Sequence, residues 1–164
     1  MTQVDFYQVL PEIYQRLTKG GIFLTAGKDA PNTMTIGWGS VGMYWGKPTF
    51  VVPVRFSRHT HGLMGDCFTV SVPAEGTMKQ ELLLCGTKSG RDMDKWEAAG
   101  LTARPASQVD TAIVDGCALY LECRIRMVQD MAPGVLSEAD DARWYGDKDY
   151  HTMYYGEVVA CYRP

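Results

Sequence analysis

The stretch GWGSVG, Gly37 to Gly42, decides between two folds. It fits the pattern G-x-G-x-x-G, which in a dinucleotide-binding domain joins a strand to a helix so that the helix N-terminus receives a pyrophosphate. Here no helix can follow. Gly46 and Pro48 would break one begun in GSVGMYWGKP, and WGKPTFVV leads straight into another apolar run. The acidic residue due about 20 positions further on is missing, because His59, Thr60 and His61 occupy that region. These glycines instead suit a chain that bends sharply at the corner of a barrel, or one whose backbone comes close to a ligand.

Outward from this stretch the pattern is mostly that of strands. GIFLTAG, TMTIGWG, PTFVVPVRF and CFTVSVP are apolar or alternating runs bounded by Gly, Pro, Asn and Asp. ALYLECRIRMVQDM alternates Leu119, Leu121, Cys123, Ile125 and Met127 against Tyr120, Glu122, Arg124, Arg126 and Val128, which predicts a long, half-solvated strand. HTMYYGEVVACYR closes the chain in the same way. Short helices are predicted over Pro11 to Lys19, in TMKQELLLCG with Met78, Leu82 and Cys85 on one face and Gly86 as the stop, and in DMDKWEAAG. KDAPN and APGVLSEADDARWYGDKD read as loops. Strands that do not alternate regularly with helices favour a closed antiparallel barrel with a few peripheral helices over a doubly wound parallel sheet.

The 164 residues carry no repeat, low-complexity tract or Pro/Ser-rich linker, so one domain over 1–164 is expected. A composition of 46% hydrophobic and 21% charged residues is that of an ordinary globular chain, and a net charge of −3 argues against a nucleic-acid partner. No leader and no run of roughly 18 apolar residues appears, so a cytoplasmic protein without a membrane partner is expected. The five cysteines are odd in number and lack C-x-x-C or metal-ligand spacing, and read as free, buried thiols. His59 and His61 form H-x-H with no third ligand at a convincing spacing, so no metal is expected.

Chemistry gathers at VRFSRHTH, where Arg55, Ser57, Arg58 and Thr60 follow an apolar strand. A turn from Ser57 to Thr60 would bring guanidinium forks and hydroxyls to one point, which is how a phosphate dianion is held, although a solvated turn with two surface arginines has the same sequence. TKSGRD adds Lys88, Ser89 and Arg91 around Gly90, just before a helix. In NTMTIGW, Thr33 and Thr35 lie on one strand face and Met34 and Ile36 on the other, so one side is free to meet a polar ligand.

NTMTIGW, VRFSRHT, FTVSVP, CGTKSGRDMDK and HTMYYGEVV, in this order and spacing, resemble the flavin reductase-like proteins, the flavoredoxin-type branch of the FMN-binding split barrels. The resemblance runs from about Gly20 to Tyr162. It implies a mainly β, Greek-key antiparallel split barrel that forms a homodimer and holds FMN noncovalently. Carried over, it sets Asn32, Thr33, Met34 and Thr35 along the flavin and Arg55, Ser57, Arg58 and Thr60 around its phosphate. Ser89, Gly90 and Arg91 would help there, and Trp38 would close the pocket. It implies an oxidoreductase that takes electrons from NAD(P)H and passes them to free flavin, a small acceptor or a partner protein. A non-catalytic FMN electron carrier and a phosphate-ligand sensor need the same cradle. No general acid, base or nucleophile stands out, and His151, with Tyr154 or Tyr155, is a candidate for the flavin's open face.

Overall fold

The computed structural model describes residues 1–164. Its strands are β1 (Thr2–Gln3), β2 (Ile22–Ala26), β3 (Asn32–Ile36), β4 (Ser40–Tyr44), β5 (Lys47–Arg55), β6 (Cys67–Val72), β7 (Ala103–Pro105), β8 (Ala112–Val114), β9 (Leu119–Asp130) and β10 (His151–Arg163). The helices are α1 (Leu10–Thr18), α2 (Lys79–Thr87), α3 (Lys95–Ala98) and α4 (Glu138–Trp144). One eight-stranded sheet runs β3-β2-β6-β9-β10-β5-β4, with β1 beside β10, and its pairs are antiparallel. β7 and β8 form a separate antiparallel pair.

The sheet does not close into the hydrogen-bonded ring expected from the sequence, and β3 and β4 are its edges. Part of the outer edge of β3 is met by helices rather than by a strand. The Thr35 hydroxyl donates to the Leu82 carbonyl of α2 at 2.6 Å, and the Lys95 ammonium of α3 donates to the Thr33 carbonyl at 3.2 Å. The two ends of the sheet still share one core. Met34 and Ile36 of β3 lie in the same buried cluster as Phe50, Val52 and Val54 of β5, and Ile13 and Leu17 of α1 fill it from the side.

A second cluster, which includes Phe23, Leu82, Cys85, Ile113, Tyr120 and Tyr162, lies beneath α2 and the β7–β8 hairpin. It corrects the reading of β9 as half-solvated: residues 119–123 are buried on both faces, and exposure begins only at Arg124. Glu122 is wholly buried there, and its carboxylate is saturated by the N–H groups of Ser107 and Gln108 and the hydroxyls of Ser107 and Tyr162. All five cysteines are buried and unpaired, and burial pushes the Cys85 thiol up to about 11.

Two further expectations change. Gly86 does not stop α2, which runs on to Thr87; a Cβ at Gly86 would come within 3.3 Å of Thr35, so this glycine lets the helix lie close on β3. The long acidic loop contains α4, started by Ser137, whose hydroxyl accepts from the Asp140 N–H while Glu138, Asp140 and Asp141 fill the first turn.

Candidate functional site

A cleft of two joined compartments lies along β3. The first, about 120 Å³, is bounded by Ser57, Arg58, His59 and Thr60 on one side and by Thr87, Lys88, Ser89, Gly90 and Lys95 on the other. The second, about 220 Å³, is walled by Met34 to Trp38, Pro53, Arg55, Trp144 and His151. Met34 and Arg58 belong to both. Each compartment alone is below the roughly 300 Å³ at which small-molecule sites begin; together they reach it.

The first compartment is polar and tightly tied. The chain leaves β5 and turns through a 3-10 segment, His59–Leu63, which carries Thr60 inward to accept from Asn32 Nδ2 at 2.8 Å. Gly90 packs directly on that pair: a Cβ there would fall on Asn32 Oδ1 and would stand 2.8 Å from His59 Cδ2. Arg58 donates to the Gly86 carbonyl at 3.1 Å, which fixes its fork and leaves the other N–H groups for a ligand. Lys95 is buried, donating to the carbonyls of Cys85 at 2.8 Å and Thr33 at 3.2 Å, with one N–H uncommitted. Burial, with Arg58 nearby, lowers the pKa of its ammonium group.

The second compartment is aromatic. Trp38 and Trp144 meet edge to face, 5.2 Å between centroids at 88°, and Trp38 lies 5.5 Å from the His151 ring. His151 is buried, and burial, reinforced by the Arg55 charge, brings its pKa down to about 4. Its Nδ1 shares a 2.7 Å hydrogen bond with the Tyr145 hydroxyl. β3 offers backbone as well. Because the Thr33 carbonyl points away from β2 to meet Lys95, antiparallel alternation turns the N–H and C=O of Thr35 to the same free side, where Thr35 lines the cleft.

The structure therefore brings Ser57, Arg58, Thr60, Ser89 and Gly90 together around the polar compartment. It places Thr35, Trp38 and Arg55 in the aromatic one, with Met34 between them. Asn32 stands behind Gly90. Thr33 is elsewhere: its side chain is buried between β2 and β3, bonded to Thr25. Arg91 lines neither compartment and donates outside them to the Ser57 carbonyl at 2.7 Å. Arg55 and Ser57 are already engaged. Arg55 donates to the carbonyls of Asp149 at 2.6 Å and Trp144 at 2.9 Å, and Ser57 donates its N–H and hydroxyl to the Asp149 carboxylate. Of the candidates at the C-terminal end, His151 lines the aromatic compartment. Tyr154 lies in the core and Tyr155 packs on Tyr44 and Trp45. His61 turns away to bond Thr152.

Sequence reasoning missed Lys95 and Trp144. Lys95, in DKWEA, reads as a surface charge on a short helix. Trp144 was hidden in the acidic loop, where Ser137 followed by Glu138, Asp140 and Asp141 was the signal of a helix start.

The family model described as flavin reductase like domain matches residues 14–164. Among solved structures, the flavoredoxin of Desulfovibrio vulgaris (Miyazaki F) superposes with a TM-score of 0.69 at 20% identity, over 88% of this chain and 69% of that one. An FMN-binding protein from Thermus thermophilus, with bound p-hydroxybenzaldehyde, gives 0.67 at 20% identity over 87% and 70%. A Streptomyces globisporus NADH:FAD oxidoreductase, in complex with NAD and FAD fragments, gives 0.66 at 19% identity over 88% and 74%. These likenesses are of fold; the family match covers nearly the whole sequence, and the chain belongs to the flavin reductase-like domain family.

Proposed function

We propose that this protein is an FMN-dependent oxidoreductase that accepts electrons from NAD(P)H. The observation that carries the reading is the cleft itself, in which a cationic, phosphate-sized compartment opens at Met34 and Arg58 into an aromatic one lined by a free strand edge. The donor set fits FMN. Arg58 and Lys95 would supply charge for a terminal phosphate, Thr60 and Ser89 would supply hydroxyls, and Gly90 lets its loop close on Asn32 and His59, where a side chain would clash. Met34, Thr35, Ile36 and Trp38 would lie along the flavin ring.

The chemistry supplied by the cofactor when bound is two-electron: a hydride arrives from NAD(P)H and electrons leave to free flavin, a small acceptor or a partner protein. The chain's part is binding and electrostatics. The Thr35 N–H, on the side of β3 away from β2, would be a preorganised donor to negative charge on the bound ring. His151, held neutral by burial, can shape the wall without adding a charge. Trp38 and Trp144 border one end of the cleft.

A homodimer belongs to the same proposal. It is supported by the apolar edge strand β4 and the turn after it, where Met43, Tyr44 and Trp45 are exposed together. Light scattering of the FMN-loaded protein should give twice the chain mass. No helix is long and apolar enough to cross a membrane.

Anaerobic mixing of FMN-loaded protein with excess NADH, and separately NADPH, tests the activity. Bleaching of the flavin band by at least one of them is expected. If neither bleaches it while dithionite does, the protein is an electron carrier and not a reductase.

A further inference from the structure

A separate cavity lies at the opposite end of α2 from the cleft. The helix starts beside it at Lys79 and ends at Thr87 in the polar compartment, a rise of about 12 Å along its axis. The cavity holds about 100 Å³. That is well below the roughly 300 Å³ of sites that take a whole small molecule, and leaves room for one compact group.

Its lining is one-sided in charge. Arg16 and Lys19, at the end of α1, meet Lys79 around it, and no carboxylate lines it. The two lysines are exposed, but Arg16 is not: its side chain is 12% exposed, and its Nε, sealed from water, has no acceptor. The one ion pair of this guanidinium is with Glu75, at 3.3 Å, longer than the roughly 2.7–2.9 Å of a charge-assisted hydrogen bond. That carboxylate is 65% exposed and stands outside the cavity. A guanidinium taken out of water and paired so loosely is short of negative charge.

The backbone adds donors. α2 begins without a side-chain cap, so the N–H groups of its first turn have no side-chain acceptor. The space in front of them is open, because Gly20 and Gly76 form part of the wall and a Cβ at either would meet nothing within 4 Å. Three cations and an uncapped helix start around so small a volume match a tetrahedral oxyanion in charge and in size.

We infer that this cavity binds one compact oxyanion, a phosphate ion or the phosphate group of a small monoester, between Arg16, Lys19 and Lys79, with Glu75 as the competing carboxylate of the chain itself.

The test is a calorimetric titration with inorganic phosphate at constant ionic strength, in saturating FMN so that phosphate is kept out of the cleft. Wild type should saturate. Lys19→Gln combined with Lys79→Gln should weaken binding by about tenfold or more, and Glu75→Gln, which removes the competitor, should tighten it. All three side chains are exposed, so the variants should keep the wild-type fold by circular dichroism. They also lie outside the cleft, so phosphate bound there would not respond to them. A parallel titration with glycerol 3-phosphate separates the sources: saturation by phosphate alone assigns the free ion, saturation by the ester as well assigns a phosphate group carried on a small molecule, and either supports the site. No saturation of wild type by either probe, or equal affinities in wild type and the variants, overturns the inference.

Discussion

The two compartments of the cleft are built in opposite ways. The polar one is made of short local segments, the turn after β5 and the loop between α2 and α3, locked together by Asn32, Thr60 and Gly90. The aromatic one is assembled from β3, β5, β10 and α4, elements far apart in sequence, and its two indoles remain exposed. The first holds charge in a fixed geometry and should set affinity for the flavin. The second offers shape and a neutral histidine, and should set what approaches the ring. Substitutions in the polar half are therefore expected to change FMN affinity, and substitutions in the aromatic half to change the choice of partner.

The largest effect is expected at Gly90. With Asn32 tied to Thr60, the Cβ of Gly90→Ala has no room; the loop must shift to accept it, at a stability cost of about 3 kcal/mol, and the displaced donors should weaken FMN by roughly a hundredfold. A titration in which this variant binds normally would break the idea of a rigid polar half.

Next is the acid limit set by His151. The folded protein keeps this imidazole neutral down to about pH 4, whereas an unfolded chain protonates it near 6.5. Acid therefore favours the unfolded state: the stability linked to this residue is complete above about pH 6.5 and is lost progressively as the pH falls toward 4, by up to about 3 kcal/mol. Urea titrations between pH 7 and pH 4 should show that loss in wild type and much less of it in His151→Gln. Equal slopes would mean the ring is not desolvated as described.

How much of this was legible in the sequence follows the same division. The polar half could be read because its residues are clustered: VRFSRHTH and TKSGRD each bring their donors within a few positions, and a turn suffices to converge them. The strand alternation gave most of the sheet, since Met34, Ile36, Val52 and Val54 fall on the core face as their periodicity requires. The aromatic half was largely hidden. Trp144 reaches the cleft only because Arg55 and Ser57 pull residues 144–149 back over β5, a tertiary contact that no local pattern encodes. Lys95 was obscured because a lysine is rarely buried, and two backbone carbonyls must first meet around it. Barrel closure was over-read for a similar reason: nothing in β3 reveals that helices, not β4, occupy its free edge.

Two smaller effects sharpen the comparison. Arg58→Ala removes a charged donor from the boundary of both compartments, worth roughly 1.5–3 kcal/mol, and should weaken FMN about ten- to a hundredfold without abolishing reduction of what remains bound. Arg91→Ala should change FMN affinity by less than about threefold, because this arginine points to the Ser57 carbonyl outside both compartments. A tenfold effect at Arg91 would redraw the phosphate site toward the loop surface.

The most direct test of the central claim compares FMN with riboflavin, which has the same ring and lacks the phosphate, in titrations of flavin-free protein. If Arg58 and Lys95 hold a phosphate, FMN should bind at least about a hundredfold more tightly, the worth of two charge-assisted contacts. Equal affinities for the two flavins would contradict the account, because the polar compartment would then contribute nothing to binding.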